Sequence, residues 1–162
     1  GRLYLVSAVT LALGGLWLTW VRQTWLVLAG AIGITLDALL ILAFAVLAYR
    51  AARARRFVEH RRWALRLFAV ASAVWFMRVA YMAWGMATGG AGIGKALDGP
   101  FDLFLAFASS LIPLGLAELY LRAGAHGTPA AKKGVALLLA FSGLVILAGS
   151  AGAWMMMWSP YI

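Results

Sequence analysis

Five long apolar runs, separated by short polar joints, make up the pattern of this chain. The first covers about residues 3–21 and contains no charged side chain. Arg22-Gln23-Thr24 is short enough for a tight turn between antiparallel helices. The second run, 25–49, is interrupted only by Asp37. A basic stretch over 50–62 leads into the third run, 63–86, which carries Arg66 and Arg78. A glycine-rich connection over 87–100 shows no periodicity and reads as a loop. The fourth run is 101–121, with Pro113 inside it and Glu118 near its end; a second basic stretch, 122–133, precedes the fifth run, 134–158. Each run approaches the roughly 20 residues that a helix needs to cross a bilayer. The expectation is an all-α, polytopic integral membrane protein: one domain, a bundle of about five transmembrane helices. Pro113 removes a backbone donor, so a kink is expected there, with Ser109 and Ser110 at hand to bond the freed carbonyls.

Composition strengthens this reading. The 162 residues are 65% hydrophobic and 12% charged, with a mean hydropathy of +0.92. Soluble domains average about 25% charged residues, so this chain has too few polar groups to cover a globular surface. The net charge of +9 raises the question of nucleic acid. The basic residues, however, sit in short runs at the ends of apolar segments, which is the positive-inside pattern and not a binding stripe. No nucleic-acid partner is expected. The chain begins at Gly1 rather than methionine, which leaves the native start open. No cleavage site of small residues follows the first run, so no signal peptide is expected.

Charge asymmetry predicts an orientation. Five spans place the N-terminus and both basic stretches on one side. That side holds Arg2, Arg50, Arg53, Arg55, Arg56, Arg61, Arg62, Arg66, Arg122, Lys132 and Lys133, eleven residues against Arg22 and Lys95 on the other. The expectation is a bacterial inner membrane, N-terminus inside and C-terminus outside, with anionic lipid head groups on the basic side.

The remaining charges lie inside the apolar runs, where ionisable groups usually face protein and find partners. At about 1.5 Å per residue, Asp37 lies about 18 Å and Arg78 about 12 Å from the outer boundary, within reach of an arginine side chain. Glu118 lies about 25 Å down, level with Arg62 and Arg66. Two tiers are therefore expected: Asp37 with Arg78 near the middle, and Glu118 with Arg62 or Arg66 at the cytoplasmic edge. Both fit interhelical clamps; both also fit a proton or anion path or a head-group site.

Other candidates are weaker. Residues 89–95 match the spacing of a phosphate-binding loop, but Ala96 stands where Ser or Thr should follow Lys95, and no strand precedes it. His60 and His126, the two histidines, fall at the cytoplasmic edge beside Trp63. They read as solvated or head-group contacts, with a bridged haem as the alternative. Neither belongs to a metal-binding spacing, so no metal site is expected. The chain has no cysteine, and no catalytic set can be assembled, so no catalytic residue is assigned. Trp154, Met155, Met156 and Trp158 read as part of an interfacial aromatic belt, with an apolar face for a lipid, quinone or pigment tail as the alternative, since methionine packs adaptably. Gly149 and Gly152 lie on a small-residue face that admits close helix packing, within the bundle or against a partner subunit.

Some of these residues are familiar together. Gly1-Arg2-Leu3-Tyr4-Leu5, His60-Arg61-Arg62-Trp63-Ala64-Leu65-Arg66, Arg78-Val79 and Ala117-Glu118-Leu119-Tyr120-Leu121 resemble an uncharacterised group of bacterial membrane proteins, the domain-of-unknown-function family 2306. The resemblance covers about residues 1–122. Family members commonly have Met where Ala64 stands here, and often a histidine before the opening Gly-Arg. The resemblance implies no established activity; it marks His60, Arg62, Trp63, Arg78 and Glu118 as positions of interest. The functional expectation is a non-enzymatic accessory or ligand-binding subunit of a larger membrane complex. The alternatives are a redox protein holding haem b or quinone, or a small transporter. Bound lipid, quinone or pigment are the ligands to test, and other membrane subunits the expected partners.

Overall fold

The computed structural model describes residues 1–22 and 28–155. Six helices account for these residues, with no strand among them: α1 (Arg2–Trp20), α2 (Leu28–Arg53), α3 (Phe57–Ala71), α4 (Ala73–Thr88), α5 (Pro100–His126) and α6 (Pro129–Ala153). The helices α1, α2, α5 and α6 are each long and apolar enough to cross a membrane; α3 and α4 add a fifth crossing if the bent pair counts as one span. The chain therefore has the build of a multi-pass membrane protein.

The helix boundaries differ from the hydropathy runs for a physical reason. Both basic stretches are mostly helix. α2 continues through Arg50 and Arg53, and only 54–56 separate it from α3. No glycine or proline interrupts 50–62, and arginine is a good helix former whose long stem carries the charge outward. Arg55 makes the turn at a φ of 56°. At the other basic end α5 runs to His126, and α6 starts at Pro129, where a missing N–H costs nothing. The hydroxyl of Thr128 accepts the Ala131 N–H at 3.2 Å, capping the new helix.

The third run is not one helix. α3 and α4 meet at Ser72 (φ −91°, ψ 3°) and bend by 48°. No proline or glycine marks the break. Each half follows different neighbours: α3 packs on α2 and α5, whereas α4 packs on α6 and α5.

Alanines set the packing of the first three helices. Ala8 and Ala12 of α1 meet Ala38, Ile41 and Ala45 of α2, with Leu67 and Val70 of α3 buried beneath them. Small side chains bring helix backbones close when no water drives them together. At the opposite edge α6 lies on α4 through Gly149 and Gly152, both buried. A Cβ on Gly149 would stand 2.5 Å from the carbonyl oxygen of Val79, and one on Gly152 would stand 2.5 Å from Met86 Sδ. The small face is thus covered within the bundle. α5 is the hub, touching α2, α3, α4 and α6, and it stays a single helix through Pro113.

Candidate functional site

Two cavities flank α5, and Ser109 lines both. The first is the more polar of the two, although apolar side chains still make up most of its wall; it has a volume of about 300 Å³ and lies among α2, α4, α5 and the 89–99 connection. Its polar lining is Asp37, Arg78, Tyr81, Asp102, Ser109 and Ser110. Asp37 and Arg78 therefore share one chamber, but no ion pair joins them. Asp37 Oδ1 instead accepts the Ser110 hydroxyl at 2.8 Å, so Ser110 bonds across to α2 rather than to a carbonyl freed by Pro113. Arg78 is exposed and makes no hydrogen bond or ion pair among the described residues.

Asp102 builds the roof of this chamber. It is buried, three residues into the approach to α5 from Gly99. Its carboxylate accepts the Tyr81 hydroxyl at 2.6 Å, the Gly94 N–H at 2.7 Å and the Gly99 N–H at 2.9 Å. One side chain thereby ties α4, the connection and the start of α5 together. Trp84 adds a second tie: its indole N–H donates to the Ala91 carbonyl at 2.6 Å, and its ring stacks on Phe101 at 4.7 Å. Gly89, Gly90 and Gly92 take φ values of 68°, 87° and 80°, so these glycines serve turns that other residues resist.

The second cavity is an apolar groove of about 800 Å³ between α3, α4, α5 and α6. Phe68, Phe76, Phe104, Ile112, Leu139 and Val145 supply much of its wall, and Arg61 is its one charged lining residue.

At the basic end, Arg66 donates through Nε to Glu118 Oε1 and through Nη2 to Oε2, the latter at 3.1 Å. Such forked pairs are geometrically specific. The Arg66 guanidinium also lies 4.5 Å over the Trp63 ring, which packs on Phe44 at 5.8 Å. This stack links α2, α3 and α5. Arg62 is exposed and takes no part in it.

Neither histidine enters either cavity. His60 Nδ1 donates to the Ala48 carbonyl at 2.9 Å, and His126 is exposed at the end of α5. No cluster of three metal-ligating side chains occurs among the described residues. Trp154 and Met155 are exposed and line neither cavity; Met156 and Trp158 lie outside the described residues, as does Trp25.

Sequence reasoning did not find the groove or the place of Tyr81 in the polar chamber. Neither has a local signal, since both arise from helices brought together by the fold. The role of Asp102 did have one: an acidic residue just after Gly99-Pro100 is the pattern of a helix start that reaches back to loop N–H groups. No family model matches this chain, and no curated protein or solved structure matches it either.

Proposed function

We propose that this chain is a non-enzymatic, ligand-binding subunit of a bacterial inner membrane, and that its groove holds the long apolar tail of a lipid, quinone or pigment. The observation that carries this reading is the groove itself: about 800 Å³, walled by apolar side chains from four helices, with Arg61 among them. Binding sites of this kind are concave, mostly apolar and sparing in polar groups. Arg61 would favour an anionic or carbonyl-bearing head at that end. The eleven-to-two distribution of basic residues supports the N-terminus inside and the C-terminus outside. On the same reading the chain is a relative of the domain-of-unknown-function family 2306, with His60, Arg62, Trp63, Arg78 and Glu118 at the matching positions, and works beside further membrane subunits.

The test is extraction of the purified protein, followed by mass spectrometry and an absorption spectrum. A stoichiometric amphiphile is expected, retained through detergent exchange and lost from Ala80→Trp, which fills the groove from α4. Complete delipidation of the unsubstituted protein under mild detergent, or equal retention by Ala80→Trp, would refute it.

A further inference from the structure

The polar chamber contains an arrangement that the apolar groove does not explain. Asp37 on α2 and Arg78 on α4 carry opposite charges and line the same cavity, yet no ion pair forms between them. One Asp37 oxygen takes Ser110, while no described residue bonds the Arg78 guanidinium. Asp102, the other acid on the wall, is already met by three donors, so it does not neutralise Arg78 directly. Opposite charges at this depth attract strongly because the surroundings screen them poorly. Two such charges that line one cavity without pairing leave room for a group with complementary ends to meet both.

We infer that the chamber binds a zwitterionic group, with its ammonium end on Asp37 and its anionic end on Arg78. The free guanidinium offers a forked set of donors that fits a carboxylate or a phosphate. Ser109 stands on the same wall as a hydroxyl partner. A lone anion would meet Asp37 and Asp102, and a lone cation would meet Arg78, so each is disfavoured on its own. The volume of about 300 Å³ is at the small end of ligand sites. It suits a free amino acid or the head group of an ethanolamine phospholipid. The chamber lies beneath the 89–99 connection, whose Ala96 and Leu97 form part of its lining.

The experiment uses the full chain in nanodiscs of phosphatidylglycerol, and reads thermal unfolding against glycine, phosphoethanolamine, acetate and methylammonium. A saturable rise in unfolding temperature is expected with glycine or phosphoethanolamine, and none with acetate or methylammonium. A response to glycine alone identifies a free solute, and a response to phosphoethanolamine alone identifies a lipid head group. Arg78→Gln and Asp37→Asn should each weaken half-saturation by about tenfold or more, the loss of one charge-assisted contact. Lys133→Gln, exposed on α6 and lining neither cavity, should leave it unchanged. The inference fails if none of the four compounds is felt by the unsubstituted protein, or if acetate or methylammonium alone reproduces the effect. Failure here leaves the groove reading standing, because extraction tests that reading on different residues.

Discussion

Substituting Gly149 by alanine should part α6 from α4. The added Cβ would lie 2.5 Å from the Val79 carbonyl oxygen and 2.6 Å from Val79 Cγ1. Comfortable contacts between such atoms begin near 3.5 Å, so relief requires a separation of roughly 1 Å. The carbonyl belongs to the backbone of α4 and cannot rotate away; the whole crossing must open. A gap of that size forfeits about a quarter to a half of the dispersion attraction along the seam. Overpacking of this kind costs about 1–3 kcal/mol, and the upper half of that range applies where the obstacle is backbone. Gly143, on the same helix, has nothing within 4 Å of its would-be Cβ, so Gly143→Ala is the matched control. It should be neutral or gain up to about 1 kcal/mol from helix propensity. The assay is reversible unfolding in mixed micelles, titrated with a denaturing detergent. Equal midpoints for Gly149→Ala and Gly143→Ala would refute the close crossing.

Three further outcomes are expected. Glu118→Gln should cost about 1.5–3 kcal/mol in the same assay, since Arg66 loses a charged acceptor while stacked on Trp63; adding Arg66→Leu should return part of that loss, and strict additivity would count against the pair. Asp102→Asn leaves one acceptor oxygen where the carboxylate has two and removes its charge, so either the Tyr81 hydroxyl or the Gly94 and Gly99 N–H groups then face an NH2 donor; limited proteolysis should cut the 89–99 connection several-fold faster while the bundle stays folded, and an unchanged cutting rate would show that Trp84 alone holds the roof. Reporter fusions should place 54–56 in the cytoplasm and the C-terminus outside, and a cytoplasmic signal after Ile162 would overturn the orientation.

The apolar helices, four or five of them long enough to span a membrane, were legible because hydropathy over about twenty residues is a strong local signal. Charge was the misleading guide to helix ends. Arginines at 50–62 looked like a loop, yet α2 takes in Arg50 and Arg53 and α3 takes in Arg61 and Arg62, leaving only 54–56 as the turn, because helix formation tolerates arginine wherever its stem reaches water. The break at Ser72 left no mark in the sequence, since it reflects the different neighbours of α3 and α4 rather than any residue that resists a helix. Depth along the helices brought Asp37 and Arg78 to one level and Arg66 to that of Glu118. It could not tell contact from facing positions: Arg66 reaches its acid, whereas Arg78 stops short, and only the azimuth of each helix decides between the two.

The ion pair between α3 and α5 also bears on the order in which the chain is made. Arg66 leaves the ribosome 52 residues before Glu118. At about 5–20 residues per second, that interval lasts roughly 3–10 s. Over this time α3 carries an arginine whose eventual carboxylate has not been synthesised. Until then the Arg66 guanidinium has its Trp63 ring but not the carboxylate that ties α3 to α5. The placing of α3 is thus provisional as the chain emerges, and a residue of α5 completes it.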